Sequence, residues 1–404
     1  MRGQTDRQGK MFFAIDLEER IRADHPLRAI KVTVDRILVG MSERFEAAYS
    51  VTGRPSVPPE RLLKALLLMA LYSVRSERQL AERIDTDLLF RWFLDMDPAE
   101  PAFDPTTFTR NRPRLDQHGL TAAFFDAVLK EAIEADLCSG DHFSVDGTLI
   151  ESYASIKSFR PMAKVDDDSV ATSDASDSAS DSASNGDANS DVNSDANGYK
   201  PRNAEVDFHG HKRTNATHRS TSDPEARFYR KGFGKEAKLC HMGHAVAENR
   251  HGLVMSVTVT EANGTAEREA ALAMLDGLHD RHGVRPKTVG TDKGYDSGPF
   301  YLDLEARGIE PHGAIVKPPR DPERVRQVQR PGVEARVRMR ERLPTDGYRL
   351  SQRCRKKVEE CFGWMKTVGG LARSRHVERW KIKQQMELAA AAYNLIRIRS
   401  LSAA

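Results

Sequence analysis

Lys238-Leu-Cys-His-Met-Gly-His-Ala-Val-Ala-Glu-Asn-Arg-His-Gly-Leu-Val-Met-Ser-Val-Thr-Val-Thr260 is the stretch that decides the fold. It predicts two strands, residues 238–248 and 253–260, joined by a turn built on Asn249, His251 and Gly252. In the second, Leu253, Met255, Val257 and Val259 alternate with Ser256, Thr258 and Thr260, the pattern of a strand with one covered face. Downstream the periodicity predicts a helix over 265–278, a strand over 287–291, a helix over 299–307 and a strand over 309–316. Upstream, a helix over 121–135 leads into a short strand, 142–150, that ends in polar residues. Strands alternating with helices specify an α/β domain. The polar stretch 321–346 reads as an arginine-rich loop, and helices over 351–367 and 375–401 close the chain.

The 404 residues are 39% hydrophobic and 30% charged, the balance of an ordinary soluble protein. Cys138, Cys240, Cys354 and Cys361 form no C-x-x-C pair, which suits a reducing cytoplasm and excludes a disulfide framework. Residues 1–10 are polar and charged, unlike a secretory leader, and the apolar run 65–74 is too short to span a bilayer. No membrane partner is expected. Net charge is only +3, but residues 165–199 hold nine aspartates and no basic residue, leaving the remainder at +12. Residues 317–381 carry nineteen Lys/Arg against eight Asp/Glu. A basic zone of this kind attracts a polyanion, or else is a solvated surface without such a partner.

Residues 1–120 read as a helical domain. Pro58 and Pro59 suit a first helical turn, and Leu62, Leu63, Leu66, Leu67 and Ala70 follow at helical spacing. Ser76 with Gln79 forms a capping box for the next helix. Asp104-Pro105 opens another, expected to end by Pro113 and carrying Arg110, Arg112 and Arg114. These helices fit either a helix-turn-helix-like DNA reader or a small bundle with a charged face. Within the second domain, 121–404, the Ser/Asp/Asn-rich insertion 164–198 lacks side chains large enough to offset its ordering entropy and is expected to be disordered.

Three carboxylates stand out. Asp146 lies in Phe143-Ser-Val-Asp-Gly-Thr, where a strand meets a glycine. Asp292 lies in Val289-Gly-Thr-Asp-Lys-Gly-Tyr-Asp, again at a strand end. Glu359 lies in the predicted helix Arg355-Lys-Lys-Val-Glu-Glu-Cys-Phe-Gly-Trp-Met-Lys366, sharing one face with Arg355 and Lys366. Open strand ends are where α/β folds place chemistry, and carboxylates are the ligands magnesium prefers. Each residue alone also fits a turn, a cap or a surface ion pair.

The chain resembles bacterial insertion-sequence transposases of the DDE class, specifically the insertion sequence 5 family. The matching pieces are Gly53-Arg-Pro-Ser, Ser144-Val-Asp-Gly-Thr, Thr291-Asp-Lys-Gly-Tyr-Asp-Ser and the helix carrying Glu359. Arg355, Glu359 and Lys366 match that family's Tyr-x2-Arg-x3-Glu-x6-Lys signature in register, while Gln352 stands at its tyrosine. The resemblance implies an RNase H-like core, a mixed sheet flanked by helices, with Asp146, Asp292 and Glu359 as catalytic metal ligands. It implies Mg2+ (with Mn2+ as substitute), and a reaction that cuts element ends and joins them to target DNA without a covalent protein–DNA intermediate. Implied partners are double-stranded DNA, both terminal inverted repeats and target, and a second copy in a homodimer; the implied location is cytoplasmic and nucleoid-associated. Arg355, Lys366, Arg110, Arg112 and Arg114 are the expected DNA contacts. A noncatalytic DNA binder derived from a transposase, and an RNase H-like nuclease, remain alternatives.

Other motifs are weaker. Cys240-His241-Met-Gly-His244 lacks a second ligand pair for zinc and lies in a predicted strand. His209-Gly-His211 reads as a polar loop, and Lys231-Gly-Phe-Gly-Lys lacks the full phosphate-loop pattern. Trp364 fits either base stacking at a DNA end or packing against the sheet.

Overall fold

The computed structural model describes residues 16–50, 52–53, 56–162, 214–232, 234–318 and 320–403. Arg54, Pro55, His209, His211 and the acidic insertion lie outside the described residues. Eight helices come first: α1 (Leu17–Arg20), α2 (Leu27–Gly40), α3 (Ser42–Ala48), α4 (Pro59–Leu71), α5 (Glu77–Thr86), α6 (Leu88–Phe93), α7 (Thr106–Gln117) and α8 (Leu120–Glu134). Ser76 caps α5 by accepting from the Gln79 N–H, as its capping box predicts. Helix α7 does not stop at Pro113. Its buried side, Phe108, Arg112 and Leu115, holds the turn together, while Thr109, whose carbonyl loses its helical donor to the proline, is exposed.

The α/β part runs β1 (His142–Ser152), β2 (Phe159–Pro161), β3 (His218–Ser220), β4 (Arg227–Tyr229), β5 (Lys238–Glu248), β6 (Val254–Glu261), α9 (Ala266–His282), β7 (Thr288–Thr291), α10 (Gly298–Ala306) and β8 (Glu310–Gly313). It ends with α11 (Arg330–Arg342), α12 (Asp346–Cys354), α13 (Lys356–Thr367), β9 (Arg373–Ser374) and α14 (Arg379–Ser402). The main sheet orders β4-β5-β1-β7-β8, with β6 on β5 and β9 on β1; β2 and β3 pair apart from it. β5 is antiparallel to β1 and β6, whereas β7 is parallel to β1 and to β8. An antiparallel meander followed by parallel strands is the RNase H-like mixed sheet.

Both faces of this sheet are covered, so β6 is buried on more than the single face its alternation predicts. Val246 and Met255 pack with Met274, Leu275 and Leu278 of α9, whereas Ala245 and Ala247 belong to a core shared with α4, α8 and α14. Helix α14 is the central post, with every residue from Leu388 to Leu395 buried. The helical segment therefore packs into the same core as one face of the sheet.

Residues 321–346 differ from the expected loop. Ala335 and Met339, spaced by one helical turn, are fully buried and fold α11 onto α10. Its arginines reach inward as well: Arg336 pairs with Asp296 at 2.7 Å and Arg338 with Glu305 at 2.5 Å. Part of the late basic charge is thus spent inside the protein.

Asn394 ties α14 to β6. Its amide donates to the Val254 carbonyl at 2.8 Å and accepts the Val254 N–H at 2.9 Å, with no solvent exposure. Asn394→Leu leaves both backbone groups unpartnered, a loss of about 2–4 kcal/mol in the stability read from urea unfolding.

Candidate active site

The backbone brings two of the three aspartate and glutamate candidates together. β1 and β7 pair in parallel as His142↔Thr288, Phe143↔Val289 and Ser144↔Gly290. Continued past the end of β7, the same register sets Asp146 level with Asp292. β1 does not end near this point but runs on to Ser152, where it pairs with β9 at Glu151 and Ser152. Between β7 and β9, that flank of β1 has no strand neighbour among the described residues. Asp146 lies in this unpaired stretch of β1 and is buried, 8% exposed.

Asp146 Oδ1 accepts the Gly147 N–H at 2.8 Å, and Asp292 Oδ1 accepts the Gly294 N–H at 2.8 Å, capping a short turn. Burial pushes the Asp146 carboxyl above the usual carboxylate range; the Lys231 ammonium opposes this, and the Asp292 charge adds to it.

Two further charged groups meet here. Glu267, in the first turn of α9, also has its pKa raised by burial, with Lys231 lowering it and Asp292 and Asp146 raising it. Its oxygens sit where two glycines leave room. A Cβ on Gly147 would lie 2.7 Å from Glu267 Oε1, and one on Gly294 would lie 3.1 Å from both Glu267 Oε2 and Asp292 Oδ1. The Lys231 ammonium stands 3.6 Å from Asp146 Oδ1 and 3.9 Å from Glu267 Oε1, and it donates to the Gly147 carbonyl. One positive charge thus sits among a set of oxygen donors. Neither residue was singled out for this role by its motif. The one available signal for Glu267 was its position in the first turn of the helix after the strand pair; Lys231 gave none beyond an incomplete phosphate-loop pattern.

Glu359 is not drawn into this cluster. Its side chain is 53% exposed and pairs with Arg355 at 3.1 Å. Among the described residues no hydrogen bond or ion pair joins it to Asp146 or Asp292, and no three His, Cys, Asp or Glu side chains are gathered to hold a metal ion. Arg355 is the link, because its charge acts on Asp146 as well. It stands at the step between α12 and α13, so the expected single helix 351–367 is two. Lys366 is half-buried; burial lowers its pKa, Lys231 and Lys238 lower it further, and Asp146 opposes them. Gln352, at the tyrosine position of the signature, donates to the Thr291 carbonyl at 3.4 Å and to that of His312, steadying the strand ends beside Asp292.

The structure corrects one expectation and decides others that the sequence left open. Arg112 is 4% exposed, pairs with Glu77 at 2.8 Å and meets Gln384, so its guanidinium is a core contact rather than a DNA contact. Arg114 lies over the Tyr49 ring at 4.4 Å, while Arg110 is exposed. Trp364 packs edge-on against Tyr393 at 5.8 Å. The histidines of the weak zinc motif have other partners: His241 meets Asp223 at 2.9 Å and His244 meets Thr260 at 2.8 Å.

Two family models match the chain: residues 15–114 match a transposase domain (DUF772) and residues 206–395 a transposase DDE domain. Asp292 and Glu359 fall within the second span, and Asp146 lies between the two. Among solved structures, the chain is similar to piggyBac transposase in a cryo-EM synaptic complex with hairpin DNA, at 10% identity over 94% of this chain and 74% of that one, with TM-score 0.36. It is also similar to the crystal structure of a pre-cleavage Mos1 transpososome, at 12% identity over 82% of this chain and 86% of that one, with TM-score 0.19. No curated protein matches, and among the described residues no helix is long and apolar enough to cross a membrane.

The raised Glu267 carboxyl gives a sign to pH dependence. A group whose pKa is higher in the folded state adds stability at low pH, and that contribution is lost as pH rises through the folded value. Glu267→Gln should therefore raise the melting temperature at neutral pH without divalent metal, with the gain shrinking on acidification. A lower melting temperature at neutral pH would mean that its pairing with Lys231 dominates.

Proposed function

We propose a mechanism for a chain that belongs, by those two matches, to the DDE transposases of the insertion-sequence type: Asp146, Asp292 and Glu359 are its catalytic carboxylates and hold divalent metal, Mg2+ in the cell. The observation that carries this is the β1–β7 register, which levels a buried Asp146, paired with the Lys231 ammonium, with a half-buried Asp292. The donor set suits a hard cation: the groups are carboxylate oxygens, and Lys231 already places positive charge among them. Bound metal supplies the charge that makes water a nucleophile and stabilises the leaving 3′ oxygen of DNA.

The chain's own residues do the rest. Helix α13 is packed in the core through Val358, Cys361, Phe362 and Met365, and the reaction requires Glu359 to leave Arg355 and turn toward the aspartates. A DNA phosphate competes with Glu359 for the Arg355 guanidinium, so arrival of substrate frees the carboxylate. Lys366, two helical turns further along the same face of α13, takes a neighbouring phosphate. Glu267 keeps Lys231 at the site when metal leaves. Residues 1–120 bind the element's terminal inverted repeats, with exposed Arg110 among the contacts, and residues 121–404 carry out cleavage and joining. Two DNA ends must be held at once, which a homodimer provides.

Asp146→Asn, Asp292→Asn and Glu359→Gln should each lower cleavage of end DNA on the order of a thousandfold or more. End binding in a gel-shift assay should stay within about twofold, because none of the three is a main phosphate contact. Normal cleavage by any of these variants contradicts the assignment. Chelation of divalent metal should stop cleavage and leave binding intact. Arg355→Gln should weaken end binding and cleavage together, whereas Arg112→Gln should lower stability without changing the salt dependence of DNA affinity.

A further inference from the structure

A groove of about 740 Å³ lies between the end of α4 with the following loop and the segment 366–376. The Asp146 charge acts on the ammonium of Lys366, which stands on the same helix as Glu359 and is among the residues lining the groove. Arg75, Arg373 and Arg375 line it, and Tyr153 is in its wall. Tyr153 follows Ser152, the last residue of the strand that carries Asp146. β9 sets Arg373 and Ser374 beside Glu151 and Ser152, which brings the arginines to the tyrosine.

Three features of this groove need a ligand. Tyr153 is 56% exposed, and it is the one aromatic among the exposed large hydrophobic side chains of the described residues. The guanidinium carbons of Arg373 and Arg375 lie over the ring, 4.8 and 6.0 Å from its centroid, and the side chain still keeps that exposure. Arg75, Arg373 and Arg375 are exposed and have no carboxylate partner among the described residues, in contrast to Arg336, Arg338 and Arg342. An open aromatic face flanked by uncompensated guanidiniums is what proteins present to unpaired bases and their phosphates. The size agrees, because a volume within the roughly 300–1,000 Å³ of small-molecule sites admits a nucleotide or two of one strand and excludes a duplex.

We propose that this groove takes an unpaired stretch of DNA from the element end, with one base stacked on Tyr153 and its phosphates held by Arg75, Arg373 and Arg375. The proposal rests on the transposase reading and adds that the end is received partly unpaired. Stacking on an exposed platform is tolerant of base identity, so the groove holds the strand without reading its sequence. The strand then leaves the groove past Lys366 toward Asp146, which lies further back on β1, the strand that ends just before Tyr153.

The test uses the full chain, with metal chelated so that no cleavage occurs. Fluorescence anisotropy compares a blunt duplex with the same duplex bearing a short thymidine tail that contains 2-aminopurine. The parent should bind the tailed DNA about tenfold more tightly, with quenching of the 2-aminopurine. Tyr153→Ala should lose both the preference and the quenching while keeping its affinity for the blunt duplex, and Tyr153→Phe should keep all three. Arg373→Gln with Arg375→Gln should remove the tail preference and flatten its salt dependence. A parent with no tail preference, or a Tyr153→Ala variant that retains it, overturns the groove assignment alone. Failure to bind either DNA contradicts the transposase reading itself.

Discussion

The parallel pairing of β1 with β7 is the constraint from which the site follows. A ladder only three residue pairs long fixes the level of Asp146 against Asp292, and the early end of β7 leaves that level open. Slipping the register by one residue would turn one aspartate to the opposite face of the sheet. The cores on the two faces prevent this: Phe143 and Val145 are locked on the α9 side, Ile150 and Ala245 on the α14 side. Packing far from the chemistry thus sets the separation of two charges that repel.

That repulsion must be offset when no metal is bound, and Lys231 does so from a loop outside the sheet. Its ammonium touches both Asp146 and Glu267, while Gly147 and Gly294 make space for Glu267 to approach. Arg355 performs the matching task for Glu359. Asp146 and Glu267 are thus matched to Lys231, and Glu359 to Arg355. In the proposed mechanism, exchange of these partners carries the site to its substrate-bound arrangement.

Much of the fold was legible because its signals are local. β5 spans residues 238–248 as its composition and flanking turn predict, and α4 begins behind its paired prolines. The signals that misled were those overridden by tertiary packing. Pro113 reads as a stop, yet the buried side of α7 continues past it. The stretch containing α11 reads as a polar loop, because only Ala335 and Met339 are buried among its arginines. Arg112 reads as a surface cation until Glu77 and Gln384, one of them far along the chain, are placed against it. Asp292 does stand just past the end of its strand, as its motif predicts, whereas Asp146 lies within β1, which runs on to Ser152. Glu267 and Lys231 were not legible, since what marks them is a meeting of three segments in space.

Site-directed oxidative cutting tests the central claim most directly. Fe2+ substituted for the divalent metal, with ascorbate and peroxide, cuts the polypeptide backbone beside wherever the ion binds, and mass spectrometry reads the new ends. With end DNA present, cuts should fall around residues 146 and 292 and in the first turn of α13 near Glu359, and they should vanish in Asp146→Asn. Cuts confined to other segments, or unchanged by that substitution, would contradict the account.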